Sequence, residues 1–233
     1  MRDVEFSPAV EAQHHRLDRS DYQNIFVIGD VHGCRGTLER LISAIDPSPD
    51  DLLVLVGDLV RRGPDSRGVI ELVRSSPNIR SVRGNNEEKI ILGRKRVPDL
   101  TVKDIRWLRT LPVAISWPGN LVIHGGFDPW KPLENHTVHD LQNIASIADD
   151  GADRPYWWEV YTGRVRVFFG HKVLERPLVG DSAIGLDTGC CYGGQLSAFD
   201  CSTGRVITEK APETYKDRPP RKVISPTTQA TMT

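Results

Sequence analysis

Five short signatures restrict what this chain can fold into: GDVHG at 29–33, GDLVRRGP at 57–64, GNNE at 84–87, HGG at 124–126 and GH at 170–171. Each closes an apolar, strand-like run and delivers a metal-type side chain just beyond it, at Asp30, His32, Asp58, Asn85, His124 and His171. Asp58 lies 28 residues after Asp30, and Asn85 lies 27 after Asp58. That interval is the length of one strand, a crossover helix and the next parallel strand. Three successive parallel strands would bring these groups to one sheet edge, outside the carboxyl ends where open α/β sheets carry their ligands. A single Gly-Asp pair after a strand is an ordinary turn. Five signatures in register instead predict six ligands converging on two divalent ions.

The apolar periodicity fills in the elements between them. Residues 25–28, 52–56 and 79–82 read as buried strands, and Leu38, Leu41, Ile42 and Ile45 give 36–45 a helical face. Pro64 stands where a second helix could begin, with Val69, Ile70, Leu72 and Val73 as its apolar side. Further helices are expected over 87–92, 104–111 and 138–148, with a strand at 121–123 leading to His124. Beyond that, 165–169, 183–186, 195–199 and 205–208 read as short strands of a meander forming a second sheet. The expected organisation is a polar leader over 1–23, one catalytic domain over 24–210 and a loosely tied polar tail over 211–233.

Composition excludes several classes. With 39% hydrophobic and 26% charged residues, 233 residues suit one globular domain, and a net charge of −1 suggests neither a nucleic-acid nor a membrane partner. No apolar run approaches the ~20 residues a spanning helix needs, and the amino terminus lacks a signal-peptide core. Cys34, Cys190, Cys191 and Cys201 show no CxxC spacing, which fits buried reduced thiols and a cytoplasmic setting. Arg61, Arg62, Arg67, Arg80 and Arg83 gather around the signatures and suit an anionic substrate. His136 and His139 stand three apart in a polar stretch, where a solvated helix face explains them better than a metal site. The run Arg94, Lys95, Arg96 reads as a solvated turn. Trp157 and Trp158, with Tyr156, would either stack on a base or pack beneath a loop.

In this order and at these separations, the signatures resemble the phosphoprotein-phosphatase type of calcineurin-like metallophosphoesterases, over about residues 24–210. GDLVRRGPDS, LDTGCCYGGQLSAF and RWLRTLPVAISWPGNLVIHGG resemble the bacterial symmetrical diadenosine tetraphosphatases, whereas FFGHKVLERPL is similar to prokaryotic and phage serine/threonine protein phosphatases. The resemblance implies an α/β fold of two packed β-sheets flanked by helices, with the metal site at the carboxyl ends of the strands. It implies that Asp30 and His32 bind a first metal, that Asp58 bridges both, and that Asn85, His124 and His171 bind the second. Manganese heads the candidates, with iron, zinc, nickel or cobalt open. Arg62 would clamp a phosphate oxygen, Arg154 would be a second phosphate arginine, and a hydroxide held by the metals would attack phosphorus.

Two departures from the family pattern bear on the substrate. Asn86 stands where protein phosphatases carry a catalytic His, and Arg61 where they carry its Asp partner. Without that proton donor, a basic alkoxide leaves poorly, whereas a nucleoside phosphate or a phenolate leaves more easily. The leading expectation is therefore hydrolysis of a dinucleoside tetraphosphate or another phosphoanhydride. The alternatives are a serine/threonine or tyrosine protein phosphatase and a metal- and phosphate-binding pseudophosphatase. The stretch between His124 and His171 is also shorter than in the tetraphosphatases, which leaves recognition of two adenosines open.

Overall fold

The chain is described here by a computed structural model that covers residues 4–147, 154–217 and 224–225. Its strands are β1 (His14–Arg16), β2 (Ile25–Ile28), β3 (Leu52–Leu55), β4 (Ile79–Ser81), β5 (Ala114–Trp117), β6 (Asn120–Ile123), β7 (Arg166–Phe169), β8 (Leu178–Val179), β9 (Ala183–Gly185), β10 (Gln195–Asp200) and β11 (Val206–Lys210). The α-helices are α1 (Pro8–Glu11), α2 (Arg35–Ile45), α3 (Ser66–Ser75), α4 (Asn85–Ile91), α5 (Val102–Leu108), α6 (Val138–Asn143) and α7 (Trp157–Val160). They build two sheets, one in the order β11-β10-β2-β3-β4 and the other in the order β1-β5-β6-β7-β9-β8.

The first sheet shows why IFVI and LLVL are unbroken apolar runs. β2, β3 and β4 pair in parallel, and a parallel sheet with both faces covered has no polar side. Phe26, Ile28, Leu53 and Leu55 face Leu38 and Leu41 of α2 and Val69, Ile70 and Val73 of α3. Their neighbours Ile25, Val27, Leu52 and Val54 turn the other way, onto Ile115, Trp117, Val122, Phe168 and Ile184 of the second sheet. The far side of that sheet carries Leu121, Ile123, Val167 and Phe169 against Val4, Phe6, Val10, Leu141, Trp157 and Trp158. The result is helix, sheet, sheet, helix. Each fully buried aliphatic side chain in these layers contributes about 1.5–3 kcal/mol.

Helix ends follow local chemistry. α3 is capped by Asp65, whose side chain accepts from the Gly68 N–H, so the helix begins at Ser66, two residues beyond the start suggested by Pro64. Thr101 and Asp104 form a reciprocal cap on α5, and Thr137 and Asp140 do the same for α6. α6 ends at Asn143. Ala148, at the end of the helix expected there, lies outside the described residues.

Three expectations are corrected. The four late strands do not form a single meander: β7 and β9 pair in parallel within the second sheet, while β10 crosses over to pair antiparallel with β2 and carries β11 with it. The hydrophobic pattern marks a strand but not the partner it will find. The stretch 1–23 does not behave as a leader from Val4 onward, because Val4, Phe6 and Val10 enter the second core and β1 pairs with β5. The beginning of the expected tail is also tied down: Ala211 is buried, and the Tyr215 and Lys216 N–H groups both donate to the Cys191 carbonyl at 3.1 Å. Residues 218–223 and 226–233 lie outside the described residues.

Candidate active site

Strands from both sheets end at one place. Asp30 follows β2, Asp58 follows β3, and Asn85 opens α4 just after β4, whereas His124 follows β6 and His171 follows β7 of the other sheet. His32 Nε2 lies 3.5 Å from Asp58 Oδ2 and 3.9 Å from Asp30 Oδ2. Across Asp58, His124 Nε2 lies 3.4 Å from Oδ1. Asn85 Nδ2 and His171 Nδ1 approach to 3.0 Å, and the His124 and His171 rings meet edge to face at 5.3 Å. Asp58 thus stands between two groups of side chains, with Asp30 and His32 on one side and Asn85, His124 and His171 on the other.

The backbone is bent to achieve this. Among the described residues six non-glycine positions have positive φ, and five are His32, Asp58, Arg61, Arg62 and His171; the sixth, Asp46, caps α2. Such conformations cost about 1–3 kcal/mol each and persist where the surroundings enforce them. The glycines of two signatures are needed for close approach. A Cβ on Gly170 would fall 1.9 Å from Asp30 Oδ1, and one on Gly84 would fall 2.4 Å from Asp58 Oδ1. The His171 N–H can then donate to the Asp30 carboxylate at 3.2–3.3 Å.

Below the site sits Glu87, wholly buried. Its carboxylate accepts the N–H groups of Asp58 at 2.9 Å, Gly84 at 2.8 Å and Val60 at 3.2 Å, joining the loop after β3 to the start of α4. Burial and the Asp58 charge push its carboxyl up to about 8, against the pull of the three amides. Burial also raises Asp30, reinforced by the Asp187 and Asp58 charges. For Asp58, burial opposes ionisation, but His124, His32, the Asn86 N–H and Arg62 together hold the carboxyl well below the usual range. Burial drives the imidazoles down, His32 to about 4 and His171 to about 3, so both are neutral near pH 7.

These residues fit divalent metal ions. Asp30, His32 and Asp58 can each offer a ligand atom with all three atoms within 4.8 Å. His124 is the sharper observation: Nδ1 pairs with the Val56 carbonyl at 2.9 Å, and the buried Nε2 has no hydrogen-bond partner among the described residues. An imidazole held through Nδ1, with Nε2 left unpaired beside a carboxylate, is the arrangement a metal ligand needs. The acids Asp30, Asp58, Glu87 and Asp187, buried together, also call for cationic compensation.

The profile for calcineurin-like phosphoesterases matches residues 23–192, well over half the chain. The chain belongs to the calcineurin-like phosphoesterases. Members of this family use a dinuclear divalent-metal site, and this chain carries a cluster of Asp30, His32 and Asp58 that could hold a metal ion. A symmetrical bis(5'-nucleosyl)-tetraphosphatase of Janthinobacterium sp. is 26% identical over 82% of this chain and 97% of that protein. The serine/threonine-protein phosphatase 1 of Salmonella typhimurium is 30% identical over 80% of this chain and 96% of its own length. A solved structure named as a candidate diadenosine tetraphosphatase superposes with a TM-score of 0.76 at 28% identity, covering 85% of this chain and 98% of that one.

In this phosphoesterase the two departures from the family pattern touch each other. The Arg61 guanidinium donates to Asn86 Oδ1, and Asn86 Nδ2 donates to Asp58 Oδ2 and, at 3.0 Å, to Asn85 Oδ1. Arg62 donates from Nη1 to His32 Nε2 at 2.6 Å, and its guanidinium lies 5.4 Å from the centre of the Tyr192 ring. Arg154 is half-buried ahead of α7.

Of the five arginines expected near the site, Arg67 instead pairs with Glu71 at 2.9 Å, Arg83 with Glu88 at 2.8 Å, and Arg80 donates to the Pro77 carbonyl at 2.6 Å. Trp157 and Trp158 are core residues, which decides for packing over base stacking. His136 is buried rather than solvated: its Nε2 accepts the Asp128 N–H at 2.9 Å and its Nδ1 pairs with the Pro132 carbonyl at 3.1 Å. No described helix is long and apolar enough to cross a membrane.

Sequence reasoning missed Glu87 and Asp187. Asp187 follows β9 as Asp30 follows β2, so the strand-end rule, applied once more to LDTG, would have found it. Glu87 carried no comparable signal, because its role exists only once three separate amides meet.

Proposed function

We propose that this chain is a two-metal hydrolase of phosphoanhydrides, with a symmetrical dinucleoside tetraphosphate as its leading substrate. The Arg61–Asn86 pair carries the reading. In the place expected for a proton donor stands a neutral amide, held by Asp58 on one side and a guanidinium on the other. An amide cannot protonate a departing oxygen, so the reaction suits a leaving group that is stable as an anion, and a nucleoside phosphate is one.

The proposed assignments are Asp30 and His32 to one ion, Asp58 to both, and Asn85, His124 and His171 to the other. Manganese is the first candidate and iron, zinc, nickel or cobalt the others. When bound, the ions supply Lewis acidity toward phosphoryl oxygens and lower the pKa of water. The protein's own groups do the positioning. Arg62, braced on Tyr192, would grip an equatorial phosphoryl oxygen. Arg61 would face the charge that develops on the departing phosphate chain. Asn86 keeps Asp58 and Arg61 in fixed relation, and Arg154 is proposed as a second phosphate contact from the segment before α7. The free thiols of Cys34, Cys190, Cys191 and Cys201 accord with a reducing, cytoplasmic setting.

The Salmonella relative favours a second reading, a serine/threonine protein phosphatase. Manganese-loaded protein assayed on diadenosine tetraphosphate, para-nitrophenyl phosphate and a phosphoserine peptide separates the two. Fast cleavage of the first two with slow phosphoserine turnover is expected. Comparable phosphoserine turnover would make the second reading the better one, and silence on all three would leave a pseudophosphatase.

A further inference from the structure

Beside the metal-ligand cluster, a cleft of about 420 Å³ runs between α4 and α6, within the ~300–1,000 Å³ range of small-molecule sites. Asn85, the expected ligand of the second metal, lines its inner end and donates to Asn143 Oδ1 of α6 at 3.2 Å. One turn further along α4 stands Lys89, and beyond it Leu92, an apolar side chain left 51% exposed. Residues four and seven apart share a helix face, so Asn85, Lys89 and Leu92 form one wall. Val138 of α6 lies opposite, and Arg94 stands at the lip.

The charges in this cleft are unbalanced. Glu88, its acidic group, is engaged by Arg83 at 2.8 Å. Among the described residues neither Lys89 nor Arg94 has a carboxylate within ion-pair distance. Burial lowers the Lys89 ammonium; the Asp58 charge opposes this, while the Arg61, Arg62 and Lys95 charges add to it. Lys89 and Arg94 line the partly apolar cleft, and Arg61, bonded to Asn86 beside Asn85, stands next to its inner end.

We propose that this cleft is the subsite for the leaving nucleoside phosphate: Arg61 and Lys89 hold its phosphates, and Leu92 and Val138 receive its base or sugar. This rests on the phosphoanhydride reading and deepens it. A phosphate chain needs cations near the metals, and a nucleoside needs an apolar wall several ångströms further out; the cleft presents them in that order.

The test is the inhibition by adenosine diphosphate of para-nitrophenyl phosphate hydrolysis, at fixed free manganese, in the wild type, Leu92→Ser and Lys89→Met. Orthophosphate serves as the reference inhibitor. The ratio of the two inhibition constants is expected to shift about tenfold toward weaker nucleotide binding in each variant. Leu92 is half-exposed, so Leu92→Ser should melt with the wild type. An unchanged ratio in both variants, with wild-type melting temperatures, overturns the cleft. Turnover of diadenosine tetraphosphate by the wild type tests the substrate reading separately. If it is cleaved while the ratio stays fixed, the cleft falls and the reading stands. If it is not cleaved while the ratio still shifts, the reading falls and the cleft stands as a nucleotide site.

Discussion

The two flanks of Asp58 are built on different terms. On the candidate metal side, carboxylates and imidazoles are fixed by backbone contacts that leave them little choice: the His124 ring is held by Val56, and Asp30 is held by the His171 N–H. On the other flank, Asn86 and half-exposed Arg61 form a polar unit held by side-chain hydrogen bonds. The metal side follows the family pattern and the Arg61–Asn86 side departs from it. On the proposed reading, the electrophilic half of the site is kept while the half that would face the leaving group is replaced.

The strongest way to break the comparison is to remove what the flanks share. Asp58→Asn keeps the shape but loses the charge between the two groups. Turnover of every substrate should fall by at least about a thousandfold, and bound metal, measured by elemental analysis, should fall with it. Retained activity would sink the two-metal arrangement.

Rebuilding the departing flank should have the next largest effect. Asn86→His with Arg61→Asp restores an acid–base pair, and general acid catalysis is typically worth about 10²–10⁴-fold. Phosphoserine peptide turnover should rise about a hundredfold and para-nitrophenyl phosphate turnover much less, which parallel kinetics would show. Equal gains on both would mean that leaving-group basicity does not separate the flanks.

Beneath both lies Glu87. Glu87→Gln leaves one of three buried N–H groups without a matching acceptor, at a cost of about 2–3 kcal/mol. Chemical denaturation should register this loss of stability. A wild-type midpoint would show that the carboxylate does not bind the two segments together.

The mildest change addresses the metal side alone. Gly170→Ala places a methyl against Asp30 Oδ1 and should displace that carboxylate enough to weaken metal affinity about tenfold. Titration calorimetry with manganese measures it, and unaltered affinity would argue that Asp30 is not a ligand.

Much of this was legible in the chain. The run IFVI-GD and its repeat LLVLVGD announce parallel strands buried on both faces, each ending in an acid. The spacing of Asp30, Asp58 and Asn85 gives their shared edge, because a crossover unit has a narrow length range. His124 and His171 were recognisable by the same strand-end position. The contact between Arg61 and Asn86 was not, since both residues stood out only as departures from a pattern, 25 positions apart. Nor was the involvement of the amino-terminal residues: Val4, Phe6 and Val10 are too sparse to show a period, and they are core residues only because the second sheet offers them a face.

The sequence by itself determined the elements and the chemistry, because strand propensity, turn glycines and ligand types are local properties read over a few residues. The tertiary structure decided the partners. It carried β10 back to the edge of β2, brought Glu87 beneath three amides, opened the cleft between α4 and α6, and buried Trp157 and Trp158 in the second core. Those outcomes depend on which surfaces of distant segments exclude water from one another, and no stretch of sequence contains both sides of such a contact.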